Sequence, residues 1–151
     1  MKIIYSCYGG AHSSVVASAI HMGYLPMDRI PRDEEILSVP YYDQSPKEYI
    51  GTPLYVGTDE KLRDIYIVGM GPYRREYTEI AYNFTYSLCN SATGDIRIVN
   101  VIPLLNFTIR LGGFLSRRLG LIGMGRPLTV KGIQKNYPLF IDLVRDVKRR
   151  Y

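Results

Sequence analysis

The feature that most restricts this chain is its opening. An apolar, β-prone run, Lys2-Ile-Ile-Tyr-Ser6, breaks into Cys7-Tyr-Gly-Gly-Ala-His-Ser-Ser14 and resumes as Val15-Val-Ala-Ser-Ala-Ile20. A buried strand, a glycine turn and an amphipathic helix in that order belong to an α/β fold, and they specify where its ligand gathers. The first turn of a helix has unpaired N–H donors and the positive end of the dipole, so an anion sits well there. Gly9 and Gly10 let the backbone approach such a ligand, and Ser13 and Ser14 add hydroxyls. The competing reading is a plain strand-to-helix turn in which Ser14 only caps the helix.

Further along, Pro31–Leu37 reads as a short second helix, and Tyr41 to Thr52 as a polar loop. Pro53–Gly57 and Asp64–Gly69 form two short strands of a hairpin. Arg74 to Ala92 is an amphipathic helix with Tyr77, Ile80, Ala81, Phe84 and Leu88 on one face, ending near Gly94. Ile96–Ile102 is another strand, and Asn106 caps a helix through Arg118. Leu121–Pro127 reads as a loop, and a last helix starts near Pro138. The order β–α–α–β–β–α–β–α–α predicts a single α/β domain over 1–151, a three-layer sandwich around a small mixed sheet of about four strands. The length suits one domain, and 46% hydrophobic with 22% charged residues suits a globular one.

Met1-Lys2 precedes too few apolar residues for a signal peptide, and no uncharged apolar run reaches spanning length. A cytoplasmic protein without a membrane partner is therefore expected. Cys7 and Cys89 lie far apart, with no metal-like spacing, so reduced thiols and no metal site are expected. No cofactor is indicated.

Charge is unevenly placed. Residues 1–95 carry 8 Lys/Arg against 12 Asp/Glu, net −4, while 96–151 carry 11 against 2, net +9. No acid occurs between Asp95 and Asp142. One electropositive face would suit phosphate, nucleic acid or an acidic protein, unless the two halves neutralise each other within the fold. Fourteen tyrosines without tryptophan point weakly to a contact surface, with Tyr41, Tyr42 and Tyr49 in a loop.

Within the opening loop Cys7 is a candidate nucleophile, because the positive end of a helix favours a thiolate, or else a small buried hydrophobe. His12 is a candidate general acid–base or phosphate donor, or a residue that only hydrogen-bonds inside the turn. His21 lies on the helical face of Ser14, Ala17 and Ser18 and could look toward the site, but reads first as a solvent-facing histidine near a helix end. Gly112-Gly-Phe-Leu-Ser-Arg-Arg-Leu-Gly-Leu-Ile-Gly-Met-Gly-Arg-Pro127 holds five glycines with Arg117, Arg118 and Arg126. These arginines could clamp an acidic ligand, or Arg117 and Arg118 could answer a helix C-terminus.

The opening loop resembles that of low-molecular-weight tyrosine phosphatases and arsenate reductases, Cys-x5-Arg-Ser: Cys7 and Ser14 match, but Ser13 stands at the arginine and no Asp-Pro pair supplies a general acid. It also resembles the Gly-Gly-x-Gly-Lys-Thr nucleotide loop at Gly9, Gly10 and Ser14, with His12 for a glycine and Ser13 for the lysine. Over nearly its whole length the chain resembles the bacterial family known as domain of unknown function 3189. The resemblance rests on Cys7–Ser14 with Ala19-Ile-His21, Leu25-Pro-Met-Asp-Arg-Ile-Pro31, Gly57-Thr-Asp59, Gly112–Leu121 and Gly125-Arg-Pro127. In that family a histidine commonly precedes the cysteine, where this chain has Ser6. The resemblance implies a small cytosolic protein of spore-forming Gram-positive bacteria and no particular mechanism.

The expectation is a phosphate-bearing or other anionic small ligand bound by Gly9, Gly10, Ser13 and Ser14 with Arg117, Arg118 and Arg126. Cys7 and His12 would act if the protein catalyses phosphoryl hydrolysis or transfer. The alternative is a non-enzymatic nucleic-acid or protein-binding module using the basic C-terminal half.

Overall fold

The computed structural model describes residues 1–44, 49–89 and 96–151. Its elements follow the expected order: β1 (Lys2–Cys7), α1 (Ser13–His21), α2 (Asp33–Leu37), β2 (Leu54–Thr58), β3 (Asp64–Gly69), α3 (Arg74–Cys89), β4 (Ile96–Asn100), α4 (Phe107–Arg117) and α5 (Ile122–Arg150). The expected end of the third helix near Gly94, and part of the Tyr41–Thr52 loop, lie outside the described residues.

The four strands form one mixed sheet in the order β2-β3-β1-β4. β1 is parallel to β3 and β4, and β2 is antiparallel to β3. The α/β fold around four strands is thus as expected. Parallel β1, β3 and β4 need crossovers, and the chain goes to one side of β1 for β3 and to the other for β4. That reversal places the C-terminal end of β1, where Cys7 stands, at the switch point of the sheet.

Alternation along β1 sorts the core. Ile3 and Tyr5 face α1 and α5 together with Ile65 and Ile67, and meet Val16, Ile20, Ile133, Tyr137 and Phe140. Ile4 points to the other face with Val68 and Met70, against Tyr77, Ile96 and Ile98. The α3 stripe is only partly used there. Tyr77 and Ala81 are half-buried, whereas Ile80 and Phe84 remain 61% and 63% exposed at the rim of a cleft of about 200 Å³.

The basic, glycine-rich segment differs most from its sequence reading. Leu121–Pro127 is not a loop, and the last helix does not begin near Pro138. α5 is one helix from Ile122 to Arg150, with Pro127 and Pro138 inside it. Its glycines are where α4 and α5 touch. A Cβ on Gly125 would stand 2.5 Å from the Ser116 nitrogen, and one on Gly132 would stand 2.6 Å from Ile109 Cγ1. The close approach that glycine permits here is between two backbones, not between backbone and ligand. Asn106 caps α4 as expected, accepting from the Ile109 N–H at 2.9 Å.

Candidate anion site at the end of the first strand

β1 stops at Cys7 because its next carbonyls are taken by the turn after β3: the Met70 N–H donates to the Cys7 carbonyl at 2.9 Å and the Gly71 N–H to that of Tyr8 at 2.8 Å. The chain then reverses over Gly10, whose φ is +66°. A Cβ there would stand 2.8 Å from the Gly69 nitrogen, so Gly10 is required both by its dihedral and by its neighbour. The Gly10 N–H donates to Cys7 Sγ at 3.1 Å, and Ser14 Oγ and Cys7 Sγ share a hydrogen bond of 3.1 Å. Cys7 is buried.

That bond changes the role of Ser14. The helix begins two residues earlier than a Ser14 cap requires, His12 holds the N-cap position, and no side chain caps the end. Among the described residues, the backbone N–H groups of Gly9, Ala11, His12, Ser13 and Ser14 find no hydrogen-bond acceptor. The N–H groups at the start of α1 are therefore left unanswered beside the Cys7 sulfur, with Ala11, Ser13 and Ser14 buried.

One residue that the sequence did not single out organises the far side of this loop. Asp43 is buried, and its own N–H donates to the Ala11 carbonyl at 2.9 Å. Its carboxylate accepts from Ser116 Oγ at 2.7 Å, from Arg126 Nε at 2.9 Å and from His12 Nε2 at 3.2 Å. Because a carboxylate only accepts, Nε2 carries the His12 proton in that contact. Arg117 donates to the Asp43 carbonyl at 3.3 Å. Burial alone would raise the Asp43 carboxyl, but the hydrogen bonds from His12, Ser116 and Arg126 outweigh it and hold the acid well below the usual range. Asp43 adopts φ +55°, a conformation aspartate tolerates better than most residues. The Tyr42 ring meets His12 edge-on at 5.3 Å, and the Tyr42 hydroxyl donates to Thr129 Oγ1 at 2.9 Å.

The structure thus brings Cys7, Gly9, Gly10, His12, Ser13 and Ser14 into one loop, and ties Arg117 and Arg126 to it through Asp43. Arg118 does not join them: it is exposed at the C-cap of α4. At that point Arg126 answers the Asp43 carboxylate and Arg117 its backbone carbonyl. No local pattern marks Asp43, whose partners lie 31 to 83 residues away.

A second polar cluster sits at the opposite end of α1. His21 is fully buried, not solvent-facing. Its Nδ1 and the Tyr5 hydroxyl are 2.7 Å apart, and its Nε2 and Asp59 Oδ2 are 2.9 Å apart. Arg63 Nε donates to the same carboxylate oxygen at 2.7 Å, and the Lys61 and Arg63 amides donate to Oδ1. Burial lowers the His21 pKa and raises that of Tyr5, so a neutral imidazole donates to Asp59 and accepts from a protonated phenol. This cluster locks α1 to the β2–β3 hairpin.

No helix is long and apolar enough to cross a membrane among the described residues. No curated protein and no solved structure was found to match the chain. A family model does match, over residues 2–149, under the description "Protein of unknown function (DUF3189)". With 148 of 151 positions inside that match, the chain belongs to the DUF3189 family.

Proposed function

We propose that the loop Gly9–Ser14 binds the phosphate, or a like anionic group, of a small ligand. The observation that carries this reading is the uncapped start of α1. Its serine hydroxyl is turned to Cys7, while five N–H groups of residues 9–14 have no acceptor among the described residues. Backbone donors at a helix N-terminus are suited to an anion. A loop built only for chain reversal would use Ser14 as its cap and gain about 1 kcal/mol by doing so.

Cys7 gives the site its chemical possibility. In an enzymatic form of this reading, Cys7 passes its thiol proton to His12 and Sγ attacks phosphorus. An S–P bond forms as the ester P–O bond breaks, His12 hands that proton to the leaving oxygen, and water then cleaves the S–P bond to release phosphate. Ser13 stands where the resembling phosphatase loops carry arginine. The transition state then meets backbone dipoles with one fixed cation fewer, which costs turnover more than binding.

The test is thermal unfolding with inorganic phosphate, sulfate, nucleotides and sugar phosphates, on the protein and on Gly9→Asp. A Cβ on Gly9 has nothing within 4 Å, so the substitution adds charge at the loop without disturbing packing. Ligand at about a hundred times its dissociation constant stabilises by roughly 2.7 kcal/mol, several degrees in a chain of this size. The reading requires a rise with at least one phosphate compound that disappears in Gly9→Asp. An equal rise in both, or none with any compound, rejects it. Release of phosphate from a ligand that shifts the protein, lost in Cys7→Ser, would establish turnover.

A further inference from the structure

We propose that the outer face of α4 and the α4–α5 turn form a docking surface for an anionic lipid bilayer. The inner side of α4 is already satisfied: Ile109, Gly112 and Ser116 are buried, with Gly112 against the α5 backbone. The outer side nevertheless carries Phe107, Leu111 and Phe114, at i, i+4 and i+7, and all three are exposed. Phe107 is 78% exposed and Phe114 47%. At the C-terminal end of this stripe, Leu119, Ile122 and Met124 are exposed as well, Met124 by 63%. A helix apolar on both sides, only one of which is packed, implies a second apolar environment.

Charge identifies that environment. Arg110 and Arg118 are exposed on the same helix, and residues 96–141 contain no aspartate or glutamate. Asp43, the acid that reaches this hairpin, is buried under Arg126, Ser116 and His12. A second copy of the chain would set arginine against arginine with no carboxylate from this segment between them. A nucleic acid would satisfy the arginines and stack on the phenylalanines, but leucine, isoleucine and methionine offer bases little. A bilayer with anionic headgroups satisfies both halves at once: hydrocarbon for the apolar stripe, negative charge for the arginines. The expectation of no membrane partner rested on spanning length, and this mode of binding lies in the surface plane.

The experiment is co-sedimentation of the full chain with vesicles of phosphatidylcholine alone and of phosphatidylcholine with phosphatidylglycerol. The expected result is binding to the anionic vesicles only, weakening as salt rises. The double variant Phe107→Ser with Phe114→Ser changes exposed side chains and is expected to fold, which circular dichroism checks, while its vesicle affinity falls by about tenfold or more. Arg110→Gln with Arg118→Gln is expected to lose about fivefold per arginine. Absence of binding to anionic vesicles overturns the proposal, as does equal binding to neutral ones. So does a phenylalanine double variant that binds anionic vesicles with unchanged affinity, or one that loses RNA binding or self-association instead. The loop at Cys7 is untouched by these changes, so the outcome stands apart from that of the anion proposal.

Discussion

Two adjacent glycines in the opening loop show how differently one residue type can be constrained. A Cβ on Gly9 meets nothing within 4 Å, whereas one on Gly10 would collide with the Gly69 backbone in a residue already at φ +66°. Gly10→Ala is expected to destabilise the protein by about 3 kcal/mol, and Gly9→Ala by less than about 0.5 kcal/mol. Denaturant melts of the two variants would read the difference, and equal losses would mean that the loop sits elsewhere than on β3. Asp43 is the other residue whose weight exceeds its local pattern. Asp43→Asn removes the charge that Arg126 and His12 share, with an expected cost of about 2–3 kcal/mol. Asp59 holds the corresponding place in the second cluster, between Arg63 and His21.

At the scale of elements, the α4–α5 hairpin is the piece that reads worst in sequence and packs most closely. Pro127 and Pro138 each withdraw a backbone donor from α5, a cost of about 3 kcal/mol apiece in an isolated helix. The helix continues because tertiary contact outweighs propensity. Val130, Ile133, Tyr137 and Phe140 are fully or almost fully buried, and each such side chain contributes roughly 1.5–3 kcal/mol. Glycine at 112, 125 and 132 lets α4 lie close enough for Ser116 and Arg126 to reach Asp43. Gly125→Val must push the helices apart, since even a Cβ would stand 2.5 Å from the Ser116 nitrogen and 2.6 Å from the Gly112 carbonyl oxygen. The expected loss is about 3 kcal/mol or more by equilibrium unfolding, with His12 freed from its carboxylate partner. Retention of full stability would show that the two helices are not in backbone contact.

Across the whole molecule, the two buried clusters pin opposite ends of α1, and both bind protons differently when the chain unfolds. His21 is held below its ordinary value of about 6.5, so below that pH the unfolded chain takes up a proton the native one refuses. Stability is therefore expected to fall as pH drops from about 7 to 5. Asp43 and Asp59 are held below ordinary carboxylates, so the stability they contribute is complete above about pH 4 and fades as pH falls further. Guanidinium unfolding at pH 7, 5.5 and 3.5 should show both losses, with the upper one absent in His21→Gln. A stability that rises between pH 7 and 5.5 would mean that His21 is protonated in the fold.

What the sequence determined by itself is what short-range physics governs. Alternating Ile3, Ile4 and Tyr5 made β1 a strand buried on both faces, the glycines after Cys7 made the turn, and Asn106 capped its helix. The order of the strands and α-helices and the strand-to-helix loop were legible for that reason: each depends on residues within a few positions of one another. The tertiary structure alone decided which hydroxyl meets Cys7, which acid gathers His12, Arg117 and Arg126, that His21 is buried, and that α5 runs unbroken through two prolines. The Ser14–Cys7 and Tyr5–His21 partners are 7 and 16 residues apart and the others from 31 to 87, and no periodicity in the chain records such pairings. Burial then reverses local preferences, because a donor or a charge removed from water must find its partner wherever the fold places one.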